Sequence, residues 1–274
     1  MPNSTVCLSF DFDAMSVWFG YQNVGPAMLS RGEYGARVGV YRILDLLKQY
    51  SLPATFFIPG HTVESFPEPV EAILQAGHEV AHHSYAHIDP GLQTHDEERA
   101  DLERALRALE NIGVKPLGYR SPSDDFSPST GALLEEYGLL YDSSLMADDF
   151  RPYHPRLGDQ VTAQTPLVRG REASFWELPM CFEFDDWPHF QFNFSPYRNG
   201  TSAPSKVLEI WQSEFDWMHR HVDGGILIVC MHPQVIGRAH RMAMLEQLIQ
   251  HCVSVGDVQF KALGQVAAEL SAAG

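Results

Sequence analysis

The strongest constraint on this chain is an alternation. Short apolar runs of strand character take turns with longer segments whose apolar residues recur at helical spacing. "VCLSFDF", "PATFFIPG", "EVAHHSY", "PLGYRSP", "LLYDSSL", "FWELPM", "GGILIVCMH" and "VQFKAL" read as strands. Between them, "VGVYRILDLLKQY", "PEPVEAILQAGH", "THDEERADLERALRALENIG", "STGALLEEYG", "SKVLEIWQSEFDWMHRHV" and "RMAMLEQLIQHCVSV" read as helices. In the third of these, Thr94 and Glu97 form a capping-box pattern and Gly113 is a stop signal. A repeating strand–helix order predicts a parallel sheet covered by outer helices. Seven or eight strands suit an α/β fold of the TIM-like type: a distorted or incomplete (β/α) barrel. No repeat and no low-complexity linker divides the 274 residues, so the expectation is a single catalytic domain over 1–274. The segment 146–175, with Pro152, Pro155 and Pro166, reads as an elaborated surface or subunit-contact loop.

In such folds, chemistry gathers where strands end at their carboxyl termini. Asp11 and Asp13 close the first strand, two positions apart among apolar residues. Buried carboxylates are costly unless something pairs with them. His83 and His87 follow the third strand, Arg120 the fourth, and His232 a late one in "ILIVCMHP". Each alone has a plain reading as a cap, a satisfied strand-end histidine or a structural ion pair. Together they place ionisable groups from four strands on one rim.

The i, i+4 spacing of His83 and His87 predicts a helical turn that aims both rings the same way. With one carboxylate they make a two-histidine, one-acid set with open positions, which suits Zn2+ and also Ni2+, Co2+ or Fe2+. One aspartate then serves as ligand and the other as base for an attacking water. Arg120 keeps that base ionised, and His232 supplies a proton to a leaving group. This is equipment for metal-assisted hydrolysis of an amide-like C–N bond.

These residues resemble the polysaccharide deacetylase (NodB-homology) family. "SFDFDA" is similar to its first motif, "HSYAH" to its His-[Ser/Thr]-x-x-His motif, "YRSP" to its Arg-x-Pro motif and "VCMHP" to its last, in family order. "ELPM" falls near the fourth. The resemblance implies Asp11 as base, Asp13, His83 and His87 as ligands of one divalent metal, Zn2+ first, Arg120 as orienting residue and His232 as acid. A residue separates the two acids here, and Asp124 stands where a glycine is usual. These features resemble an intracellular branch that includes cyclic imide hydrolases, metal-free allantoinases and oligomeric peptidoglycan-deacetylase-like proteins. The branch implies a homo-oligomer, a tetramer or a dimer.

Asp124, Trp187 and His61 are candidates for substrate contact. Their plainer readings are a helix cap, a packing residue and a turn histidine. His82 should point away from the site if the strand continues. The net charge of −16 argues against nucleic acid and anionic membrane surfaces. No run approaches the ~20 apolar residues of a membrane span. The N-terminus has no signal-peptide pattern, and Cys7, Cys181, Cys230 and Cys252 suit a reducing compartment, so the expected location is cytoplasmic. The function read from these features is hydrolysis of non-peptide C–N bonds. A small amide or cyclic imide is favoured over an N-acetylated sugar or peptidoglycan-type substrate. The rival of another class is a silent ligand-binding or assembly protein.

Overall fold

The structure, a computed structural model, describes residues 4–20, 24–192 and 201–273. Among the described residues ten strands are present: β1 Ser4–Asp11, β2 Thr55–Ile58, β3 Glu79–His82, β4 Gly118–Tyr119, β5 Tyr141–Asp142, β6 Arg156–Leu157, β7 Arg171–Glu172, β8 Trp176–Glu177, β9 Gly225–Met231 and β10 Val258–Phe260. All but β6 and β7 join one parallel sheet. β1 is its centre and is buried along its whole length. One edge of β1 pairs with β9 from Ser4↔Gly225 to Phe10↔Met231. The other edge is shared, with β10 beside Ser4–Val6 and β2 beside Ser9–Asp11. From β2 the sheet runs through β3, β4 and β5 to β8. After β8 the chain returns to β9 through a single bridge, Asp185↔Cys230. The parallel sheet therefore curls into the incomplete (β/α) barrel that the alternation implies. β6 and β7 form a separate antiparallel hairpin inside the 146–175 segment.

Eleven helices are described: α1 Pro26–Tyr34, α2 Val40–Tyr50, α3 Gly60–Ser65, α4 Pro67–Gln75, α5 His95–Asn111, α6 Thr130–Glu136, α7 Asp186–Phe190, α8 Pro204–His221, α9 Pro233–Ile236, α10 Ala239–Val255 and α11 Leu263–Ala273. The capping box at the start of α5 forms as its pattern suggests. Helices α3, α7 and α9 span six residues or fewer, too short for periodicity to announce them. A π-helical turn at Gly35–Gly39 joins α1 to α2, so the helix begins earlier than its apolar period. Among the described residues no helix is long and apolar enough to cross a membrane. The four cysteines are free.

His82, the last residue of β3, points into the protein rather than toward the mouth. Its Nε2 donates to the Leu102 carbonyl of α5 at 3.1 Å, and its Nδ1 accepts from Ser84 N–H at 3.2 Å. Burial, with His83 adding to it, outweighs the Leu102 bond and holds the ring at about 4, well below its ordinary 6.5. The unfolded chain takes up that proton first as pH falls, so the folded state loses stability between pH 6.5 and about 4. Relative to a non-titrating His82→Gln variant, wild-type unfolding free energy should fall by about 3 kcal/mol across that window, measured by urea denaturation. Parallel pH curves for the two proteins would show that the buried ring is not kept neutral.

Candidate active site

The carboxyl ends of β1, β3, β4 and β9 open into a cavity of ≈ 210 Å3. Asp11, His83, His87, Asp124, Trp187 and His232 line it, beside Val17, Phe182 and Asp185. The chain leaves β1 through Ala14 at φ 50°, which turns it sharply after Asp13. The Asp13 carbonyl is pinned by Thr62 Oγ1 at 2.6 Å and Ser16 Oγ at 2.8 Å.

His83 and His87 come together differently from the expected helical turn. Ser84 and His87 both adopt left-handed φ, 57° and 55°. Ser84 Oγ accepts from His87 N–H at 2.9 Å, and Asp101 accepts from Tyr85 and Ala86 N–H. This compact turn brings the ring centroids within 4.9 Å. Spacing alone favoured a helix; side chains that take up the local N–H groups won instead.

His83 Nδ1 donates to the Arg120 carbonyl at 2.7 Å, which leaves the Nε2 lone pair facing inward. That Nε2 lies 3.3 Å from Asp13 Oδ1, and His87 Nε2 lies 3.8 Å from the same oxygen. Neither His83 Nε2 nor Asp13 Oδ1 has a hydrogen-bond partner, though both are buried. Orphaned donors and acceptors are rare in a native interior and call for an explanation. Asp13, His83 and His87 each offer one atom to a common point, as a cation would require. The electrostatics agree. Burial alone would raise Asp13, but His87, His83 and His232 hold its carboxyl at about 2. Burial alone would lower His83, but Asp11 and Asp13 raise it, so the point between these groups attracts positive charge. His87 is lowered to about 4, chiefly by burial. The side chains present fit a divalent ion.

Arg120 is fully buried under the cavity. Its NH1 donates to Asp11 Oδ1 at 2.7 Å and Ser9 Oγ at 3.0 Å. Its Nε donates to the Ser143 carbonyl at 2.7 Å and NH2 to Ser143 Oγ at 2.9 Å. The guanidinium also lies over the Phe57 ring, 4.2 Å from its centroid. His232 is gripped by Asp186, which accepts from its N–H at 3.0 Å and from Nδ1 at 2.7 Å. Burial would lower His232, but Asp186 and Asp185 push it well above the ordinary histidine value. Trp187 packs on His232 with centroids 5.0 Å apart and leans on Trp18 at 5.5 Å.

Asp124 is half-buried at the mouth, with Ser123 and Asp124 both in the left-handed region, φ 62° and 52°. Burial and the neighbouring Asp11 raise its carboxyl to about 7. Asp125 is exposed and accepts from Phe126 N–H. His61 lies in the first turn of α3 and is not among the cavity-lining residues. Its ring edge meets Phe19 at 4.7 Å and Tyr85 at 6.3 Å, a packing position.

Sequence reasoning missed the acids behind the rim. Asp185 and Asp186, in "FDDWPHF", hold His232; two acids in an apolar stretch repeat the anomaly of Asp11 and Asp13 and were readable as such. Asp142 and Glu177 are both fully buried and both accept from Ser144 N–H, at 2.9 and 3.0 Å. Glu177 also accepts from Leu145 N–H at 3.1 Å. Burial raises Asp142 to about 6, and burial with Asp142 beside it pushes Glu177 well above the ordinary carboxylate range. The pair fixes the backbone around Ser143, the residue that grips Arg120.

The polysaccharide deacetylase family profile matches residues 32–141. A Helicobacter pylori protein named peptidoglycan deacetylase is 34% identical, over 96% of this chain and 94% of its own. A peptidoglycan deacetylase-like protein of Gibberella zeae is 30% identical, over 89% of this chain and 79% of its own. Among solved structures, a Mycobacterium smegmatis protein assigned to the polysaccharide deacetylases superposes with a TM-score of 0.86. It is 35% identical and covers 98% of this chain and 91% of that one. An allantoinase, 24% identical, shares the fold with a TM-score of 0.80 over 98% of this chain and 91% of its own.

Replacing Glu177 with Leu strips Leu145 N–H of its acceptor. We expect a loss of about 2 kcal/mol in denaturant titration, and less than about 1 kcal/mol for Glu177→Gln, which keeps an acceptor. Equal losses for the two variants would count against Glu177 acting as the acceptor for Leu145 N–H.

Proposed function

The chain belongs to the polysaccharide deacetylase family, and on that premise we propose that it removes the acetyl group from a small N-acetylated amino sugar with the help of one divalent metal ion, Zn2+ first. It is a hydrolase acting on carbon–nitrogen bonds other than peptide bonds. The observation that carries the metal-dependent reading is the convergence of Asp13 Oδ1, His83 Nε2 and His87 Nε2 on one point, two of these atoms being buried and otherwise unpartnered. Relatives named for peptidoglycan deacetylation move the weight toward an N-acetylated sugar. A cavity of ≈ 210 Å3, below the ~300–1,000 Å3 of ordinary ligand clefts, favours one small unit over a polymer. The same size keeps a small amide or cyclic imide as the second reading.

Asp13, His83 and His87 would hold the ion, which when bound polarises the scissile carbonyl and acidifies water. Asp11 takes a proton from the attacking water, and Arg120 aims its carboxylate through Oδ1. A C–O bond forms as the C–N bond breaks. His232, kept protonated by Asp186, delivers a proton to the departing nitrogen. Trp187 forms one wall for the substrate, and Asp124 accepts from its N–H groups at the mouth. His61 packs against Phe19 and Tyr85 and takes no part in this contact. The proposal also places the chain in the cytoplasm as a dimer or tetramer. Its contact would be built on residues 146–175, which expose Val161, Leu167 and Val168; sedimentation tests that arm.

Elemental analysis of protein purified without chelator should find about one divalent ion per chain, lost in His83→Ala. Asp11→Asn should retain the ion and lose ~10²–10⁴-fold in kcat on N-acetylglucosamine or a cyclic imide. Metal lost in Asp11→Asn would mean that the two acids exchange roles, and absence of turnover on every amide and imide would favour the silent-protein reading. The acid role of His232 has its own signature. Because Asp186 raises its pKa, activity should persist above the ordinary histidine range, and Asp186→Asn should move the alkaline limb of the kcat profile toward pH 6.5. An unmoved limb would remove His232 from the proton transfer.

A further inference from the structure

Asp13 divides its two oxygens between different tasks. Oδ1 faces His83 and His87 without a hydrogen bond. Oδ2 accepts from Gln234 Nε2 at 3.2 Å. Nothing in the reaction above uses Gln234. The residue is buried in α9, two positions after His232, and its own Oε1 has no partner, so Asp13 is what orients its amide.

Behind Gln234 lies the π-helical turn Gly35–Gly39. Such turns are uncommon and concentrate near functional sites. A Cβ at Gly35 would sit 3.0 Å from Gln234 N and 3.1 Å from its Oε1. At Gly39 it would sit 2.1 Å from the Pro233 carbonyl oxygen. Only hydrogen fits at Gly39, whereas a methyl at Gly35 would push Gln234 by a few tenths of an ångström, so the turn sets where α9 and the Gln234 amide stand against Asp13.

We propose that Gln234 is a positioning residue for the cation site: by donating to Oδ2 it stops the Asp13 carboxylate from rotating and reserves Oδ1 for the metal, with the glycine-faced turn at 35–39 fixing where the donor sits. The inference rests on Asp13, His83 and His87 being the cation ligands. Partners that hydrogen-bond a ligating group set its orientation and tune affinity. A neutral amide suits this place. A lysine would cancel the charge that draws the ion, and a glutamate would repel Asp13.

The test is Zn2+ titration of the chelator-stripped full chain against a chromophoric competitor, comparing wild type, Gln234→Met, Gly35→Ala and His83→Ala. His83→Ala should lose measurable binding. Gln234→Met, which keeps the shape without the donor, should bind Zn2+ about 10–100-fold more weakly. Its metal-free melting temperature should stay within about 4 °C of wild type, since no large buried volume changes. Gly35→Ala should weaken binding in the same direction by displacing an intact amide, and it carries the comparison if Gln234→Met fails to fold. Affinity within about threefold of wild type in the variant that folds overturns the positioning role and leaves the site standing. A wild-type chain that takes up no Zn2+ overturns the site itself.

Discussion

Two carboxylates at the end of one buried strand set the terms for the rest of the structure. Asp11 and Asp13 are 2% and 0% exposed. Moving an ion of this kind out of water costs several kcal/mol even after relaxation, unless opposite charge and hydrogen bonds replace the lost solvent. The two acids are compensated differently. Asp11 receives a full guanidinium at 2.7 Å. Asp13 receives an amide at Oδ2 and two imidazole nitrogens facing Oδ1 without bonding to it. Asp11 is paired with a guanidinium; Asp13 has His232 Nε2 3.8 Å from Oδ2 but keeps Oδ1 without a hydrogen bond, the place a cation would fill.

Each principal group at the rim is held by a residue from a different part of the sheet. Arg120 is gripped by Ser143, whose neighbouring backbone is fixed by the carboxyls of Asp142 and Glu177. His83 is fixed by the Arg120 carbonyl, and His232 by Asp186. These supports tie β3, β4, β5, β8 and β9 into one polar network beneath the cavity. In a low-dielectric interior the hydrogen bonds that such a network does make are strengthened. Glu177 and Asp11 are thus linked only through Ser144, Ser143 and Arg120, with no direct contact between them.

The backbone carries a matching concentration of strain. Among the described residues seven non-glycine residues have positive φ, and five of them, Ala14, Ser84, His87, Ser123 and Asp124, stand in the loops around the mouth. Left-handed backbone costs a side-chain-bearing residue of order 1 kcal/mol or more, so it persists where the surroundings over-determine it. Here it folds the loops tightly enough to bring His83, His87 and Asp124 to the ends of short strands.

The sequence by itself determined the parallel α/β architecture, because β1, β9 and the amphipathic helices carry apolar periods long enough to count. It also singled out Asp11, Asp13, His83, His87, Arg120 and His232, which follow predicted strands, the two histidines at i, i+4 spacing. Tertiary structure decided the rest. The closeness of His83 and His87 comes from a left-handed turn that spacing cannot distinguish from a helix. Asp186, Glu177 and Gln234 matter through partners 46, 33 and 221 positions away, and hydrogen bonds across such separations leave no local periodicity. His61 ended a strand-like run as plausibly as His232 did, yet α3 begins there and carries its ring to Phe19 and Tyr85 instead of the cavity. Which strand-end residues meet is a property of curl and register, and both are set by packing of the whole chain.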